Sequence, residues 1–211
     1  MSPRYAKIPA KPRAPLTLDS SHLKQYQGVL WRIFGTKGAH PQVWDQMRHV
    51  GPIATMRFDP HPPPKREHDD YSVMYTALNS HTAFGEVFQG RRVVSRTARG
   101  NTLAGWIPTR ELTLLDLSGD WPVVNGTTAA IQMGAKRHTR NWAHEIHEQL
   151  GDQVDGLYHL SSINSAPMIT LFTPAADSFP ALPSVHTRLD SPGANVYLTK
   201  AIKRLNYRVG R

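Results

Sequence analysis

The sequence predicts an α+β fold, a mixed β core with flanking helices. Apolar runs of strand length recur along the chain and outnumber the stretches with helical spacing. They do not alternate regularly with helices, as a doubly wound parallel sheet requires. The 211 residues suit one domain with a real core.

Residues 1–18 contain four prolines and read as an extended arm, leaving 19–211 as a single domain. Residues 28–35 look like a first strand with Arg32 in its middle. Residues 53–60 read as a second extended piece that carries Arg57 and is closed by Pro60. The stretch from His61 to Asp70, with three consecutive prolines, must be a loop. Residues 71–77 are rich in strand formers. Asn79 or Ser80 then suits the N-cap of a short helix stopped at Gly90. Residues 91–101 form a basic, glycine-punctuated connection, and 106–108 with 112–117 suggest a further strand. The spacing of Trp142, Ile146 and Leu150 predicts a helix over 136–150, ended by Gly151. Residues 156–162 and 168–172 look like a late strand pair, and 194–206 like a basic helix.

The absence of cysteine excludes thiol catalysis, disulfides and cysteine metal sites, and fits a reducing cytoplasm. No apolar run approaches the roughly 20 residues of a membrane helix, and no signal-peptide core is visible, so a soluble cytoplasmic protein is expected. The net charge is +9. Arg4, Lys7, Lys11 and Arg13 at one end, with Lys200, Lys203, Arg204, Arg208 and Arg211 at the other, account for all of it. The body of the domain is therefore neutral, and no nucleic-acid module signature is present.

The 73–88 segment carries the sharpest chemical signal. On its helix Ala83, Phe84, Val87 and Phe88 share a face, and Glu86 falls about 60° from Ala83, on the flank of that face. A carboxylate there either looks into a cleft or is an ordinary edge glutamate. His144 and His147 lie three residues apart, not the four of a zinc-protease helix, and read as a solvated helix face. His61 and His68 flank the proline loop without an evident third ligand, so no metal is expected. Serine-hydrolase elbow, phosphate loop and dinucleotide fingerprint are all missing. What remains is Arg32, Arg57, Tyr75, Glu86 and Ser161. Arginines within apolar strands serve either structural pairing or the grip of an anion such as a pyrophosphate.

Together these residues resemble the RES-domain family, toxins of bacterial toxin–antitoxin pairs named for Arg, Glu and Ser. Trp31-Arg32-Ile33 is similar to its aromatic-Arg element, and Arg57-Phe58-Asp59-Pro60 to its Arg-aromatic-(Asn/Asp)-Pro element. Met74-Tyr75-Thr76-Ala77 followed by Ala83-Phe84-Gly85-Glu86 resembles its Leu-Tyr-x-Ala…Ala-x-x-Glu core. Gly156-Leu157-Tyr158-His159-Leu160-Ser161 resembles its Gly-(Ile/Val)-x-Tyr-Pro-Ser element, with His159 and Leu160 in place of Tyr-Pro and Ser162 as an alternative serine.

The resemblance implies an ADP-ribosyltransferase-like fold with NAD⁺ as substrate, hydrolysed, phosphorolysed or used to ADP-ribosylate a protein. It implies that Glu86 stabilises the oxocarbenium-like state and that Tyr75 packs at the nicotinamide–ribose end. Arg32 and Arg57 would hold the phosphates, and Ser161 a ribose hydroxyl or phosphate. The implied partner is an Xre-like antitoxin that blocks the cleft, so nucleic acid is met only through that complex; a homodimer is also allowed. Two other readings stay open: a catalytically decayed binding module on the same scaffold, and a nucleic-acid-associated protein acting through its basic tails.

Overall fold

The structure is a computed structural model that describes residues 6–210. Arg4 and Arg211, two of the terminal cations, lie outside them. The chain runs through β1 (Leu23–Tyr26), β2 (Leu30–Gly35), β3 (Val50–Gly51), β4 (Arg66–Glu67), β5 (Val73–Ala77) and α1 (Ser80–Phe88). It continues through β6 (Val93–Ser95), β7 (Asn101–Trp106), β8 (Leu112–Asp116), α2 (Trp121–Val124) and α3 (Lys136–Leu150). The last elements are β9 (Gly156–Leu160), β10 (Pro167–Phe172), β11 (Val185–Arg188), α4 (Asn195–Leu205) and β12 (Arg208–Gly210).

Eight strands form one mixed sheet in the order β1-β8-β9-β10-β5-β2-β7-β11. Its only parallel pair is β8 with β9. The α+β expectation therefore holds. β5 and β2 meet over a single residue pair, Ala77 with Trp31. Strand side chains alternate between faces, and the core clusters follow that alternation. The inner face carries Leu30, Phe34, Met74, Ala104, Trp106, Leu114 and Ile169, closed by Trp44 and Met47 from the loop after β2. The outer face carries two layers. Ala77, Met168 and Leu103 pack under α1 and α4, while Val73, Leu115, Leu157 and Phe172 pack under α3.

Each helix follows from its sequence. Asn79 caps α1 by accepting from the Thr82 N–H at 2.9 Å. Ala83, Phe84 and Phe88 of α1 are buried, whereas Val87 is 47% exposed and leaves the predicted face. The α3 boundaries match the expected 136–150, with Trp142, Ile146 and Leu150 buried.

Three expectations are corrected. Residues 53–60 form turns rather than an extended strand, so Arg57 stands on a turn. The strand expected from 106–108 and 112–117 is β8 alone, while β7 ends at Trp106 and β6 lies inside the expected 91–101 connection. The α3 histidines are packed rather than solvated: His147 stacks on Tyr71 at 4.5 Å, and His144 Nδ1 lies 3.0 Å from the Pro60 carbonyl.

The arm is strapped to the outer layer. Trp142 Nε1 donates to the Pro9 carbonyl and Trp121 Nε1 to the Thr17 carbonyl, each at 2.9 Å. Ile8, Leu16 and Leu18 pack against the α3 cluster. Buried indole N–H groups need acceptors, and the arm supplies them.

Candidate active site

Between the two outer layers the sheet presents polar groups. Tyr75 on β5, Thr170 on β10 and His159 on β9 all point to the outer face, between the α1/α4 layer and the α3 layer. His159 is buried, and its Nε2 lies 2.9 Å from Thr170 Oγ1. Burial pushes its pKa down to about 4, the Leu160 carbonyl opposing and Arg57 reinforcing, so the imidazole is neutral at neutral pH. Phe58 closes the seam from above, its ring 4.9 Å from His159.

At the end of β9 the chain turns toward α1. Ser161, 1% exposed, donates from Oγ to Glu86 Oε1 at 2.6 Å. The Ile163 N–H donates to the same Oγ at 3.0 Å, so the hydroxyl hydrogen is directed at the carboxylate. Glu86 is half-buried, as its place on the flank of the apolar face predicts. Ser162 is exposed, and its Oγ accepts from Arg57 Nη1 at 3.4 Å, a long contact. Both candidate serines are thus engaged, with Ser161 on the carboxylate and Ser162 on the arginine.

Tyr75 has a half-buried ring, yet its hydroxyl is enclosed and has no hydrogen-bond partner among the described residues. Burial foremost, then the nearby Asp59 carboxylate, push its pKa well above the usual phenol range, with Arg48 and Arg140 pulling the other way. The phenol is a neutral donor whose proton has no acceptor among the described residues.

The two arginines separate. Arg57 is half-buried, with long contacts to Ser162 and to the Gly134 carbonyl at 3.4 Å, so its guanidinium has donors to spare. Arg32 points to the inner face with Leu30 and Phe34. Its Nη1 donates to the carbonyls of Val43 (3.4 Å), Trp44 (3.2 Å) and Gln46 (3.1 Å), and its Nη2 to Gln42 Oε1 (3.1 Å). Burial lowers its pKa to about 10, partly countered by Asp45, which leaves it a cation at neutral pH. The structure therefore pairs Ser161 with Glu86 and Ser162 with Arg57, sets Tyr75 on the same sheet face as His159, and turns Arg32 to the opposite face.

Sequence reasoning missed two further cations here. Arg140 on α3 donates to the Ala54 carbonyl at 2.7 Å, and Arg48 donates to Asp59 Oδ2 at 2.9 Å. No spacing in the sequence marks either one, because each is brought to the 53–59 turn by tertiary packing.

A family model described as the RES domain matches residues 29–191. No curated protein matches the chain. Among solved structures, the crystal structure of the M. tuberculosis MbcT–MbcA toxin–antitoxin complex contains a similar chain. It has 13% sequence identity and a TM-score of 0.56, over 85% of this chain and 91% of that chain. At that identity the likeness is one of fold.

Proposed function

The chain belongs to the RES-domain family, and from that premise we propose that it is the toxin of a toxin–antitoxin pair, cleaving the nicotinamide–ribose bond of NAD⁺. The observation that carries the reading is the 2.6 Å bond between Ser161 and Glu86, residues 75 positions apart that both belong to the resemblance. It also weighs against a decayed scaffold, since His159 and Leu160 replace the family's Tyr-Pro without separating the serine from the glutamate.

Cleavage breaks the C1′–N bond, and the electron pair leaves with neutral nicotinamide. C1′ and the ring oxygen acquire oxocarbenium character. Glu86 answers that charge: Ser161 holds Oε1, leaving Oε2 to accept from the ribose hydroxyls and to stabilise the cation electrostatically. Tyr75 lies along the nicotinamide–ribose end, packing its half-buried ring there. Arg57, joined by Arg140, grips the pyrophosphate through charge-assisted hydrogen bonds. Arg32, expected from the resemblance to share that grip, is assigned instead to the 42–46 loop, whose acceptors occupy its guanidinium. An oxygen nucleophile, from water, phosphate or a protein side chain, attacks C1′ and gives up its proton. NAD⁺ is the substrate and no metal enters the scheme. The partner is an antitoxin of the Xre-like type, which covers the cleft.

Proton NMR of NAD⁺ incubated with the protein, with and without phosphate, tests this. Free nicotinamide appears with the unaltered protein, and a phosphate requirement separates phosphorolysis from hydrolysis. Glu86→Gln keeps the melting temperature and loses about 10³-fold in rate, roughly 4 kcal/mol of transition-state stabilisation. Full turnover by that variant would remove Glu86 from the mechanism.

A further inference from the structure

We propose that His61 is a positioning residue for the candidate active site, holding Asp59 so that the Arg57–Phe58 turn presents Arg57 to the substrate's phosphates. The proposal rests on reading the site as an NAD⁺ cleft. His61 itself belongs to none of the family motifs above and stands on the proline loop behind the turn.

Its ring sits in a fitted socket. A Cβ on Gly51 would stand 2.4 Å from His61 Cγ, so only glycine lets the ring close onto β3. His61 Nδ1 lies 2.5 Å from Asp59 Oδ1, with both side chains fully enclosed. The other carboxylate oxygen accepts from Arg48 Nη2 at 2.9 Å and from the Ile53 N–H at 2.7 Å. A buried carboxylate with both oxygens taken is fixed in plane and position, and the chain on either side of it is fixed too.

That matters because the preceding residue is strained. Phe58 has φ 51°, in the left-handed region that a bulky side chain rarely adopts. Burial of its ring against His159 and the tethering of Asp59 hold the turn in this form, and Arg57 is the residue that the turn delivers. His61 Nε2, meanwhile, is enclosed without a partner among the described residues. An apolar ring would fill the socket without that cost, so the imidazole's contribution is the bond from Nδ1. Tyr71 lies 6.0 Å from the His61 ring and bonds Glu148 on α3, which ties the socket to the outer layer.

The test compares His61→Leu, which fills the socket but removes the donor, with His61→Asn, whose amide nitrogen can reach Asp59 from about where Nδ1 stands. Melting temperature, KM and kcat for NAD⁺, and hydrogen exchange of the 53–59 amides are measured for each. Both variants melt lower. His61→Leu raises KM roughly tenfold with kcat held within about threefold, and its 53–59 amides exchange roughly tenfold faster. His61→Asn keeps KM within about threefold of the parent, with parent-like exchange. A parent-like KM and exchange pattern in His61→Leu overturns the proposal. So does equal damage in both variants, because the effect then follows stability alone. If the unaltered protein cleaves no NAD⁺, the proposed function fails by itself, and the exchange comparison still upholds or overturns the hold of His61 on the turn.

Discussion

On the inner face of the sheet the core is continuous: β2, β7, β8, β5 and β10 all send apolar side chains into one cluster, and the buried arginine there meets four acceptors through Nη1 and Nη2. On the outer face the same strands lie under two separate helical layers, with Tyr75, Thr170 and His159 between them. The outer seam keeps a phenol without an acceptor among the described residues, a half-buried carboxylate and a loosely held guanidinium. A polar group left short of partners costs stability, and a seam holding several of them is where binding can repay that cost. The two arginines mark the difference, four acceptors for Arg32 against two long contacts for Arg57, although the inner-face Trp106 indole N–H also has no partner among the described residues.

The two arginines give the largest contrast. Arg32→Leu takes the donor from three loop carbonyls, the Trp44 bond buried and the other two partly so, and should lower unfolding stability by about 4 kcal/mol. Arg57→Leu should cost under about 1 kcal/mol of stability yet raise KM for NAD⁺ between about tenfold and a hundredfold. Urea unfolding and steady-state kinetics on both variants check this, and similar profiles for the two would erase the distinction between faces.

His159 gives the next effect, confined to acid. The unfolded chain binds the proton near pH 6.5, while the folded chain resists it down to about pH 4. Stability is therefore full above pH 6.5 and falls as pH drops through that window, by about 3 kcal/mol. His159→Phe should remove about that much of the loss between pH 7 and pH 4, as measured by unfolding at the two pH values. An unchanged loss would mean that His159 is charged inside the seam.

The arm gives the smallest. Deleting residues 1–18 takes the acceptors from Trp121 and Trp142 and should lower the melting temperature by on the order of 5 °C, about 2 kcal/mol. An unchanged melting curve would show that the α3 layer stands without its strap.

Much of this was legible from residue order. The helix over 136–150 was readable because Trp142, Ile146 and Leu150 recur at helical spacing, and α1 because Asn79 caps an apolar stripe. Val87 was misjudged because spacing gives the angle of a residue on its helix and not the width of the surface that covers it. Residues 53–60 were misread because their extended look hid a turn whose shape depends on Asp59 finding Arg48, Ile53 and His61.

The sequence by itself determined the α+β class, the family motifs and the residues able to carry the chemistry, since periodicity, caps and motif order are local and survive without coordinates. Only the tertiary structure decided which face each residue occupies and what it meets there. Strand parity turned Arg32 inward to its loop, while the turn after β9 brought Ser161 across 75 residues to Glu86. Such pairings depend on how distant segments pack, a quantity that local spacing does not contain.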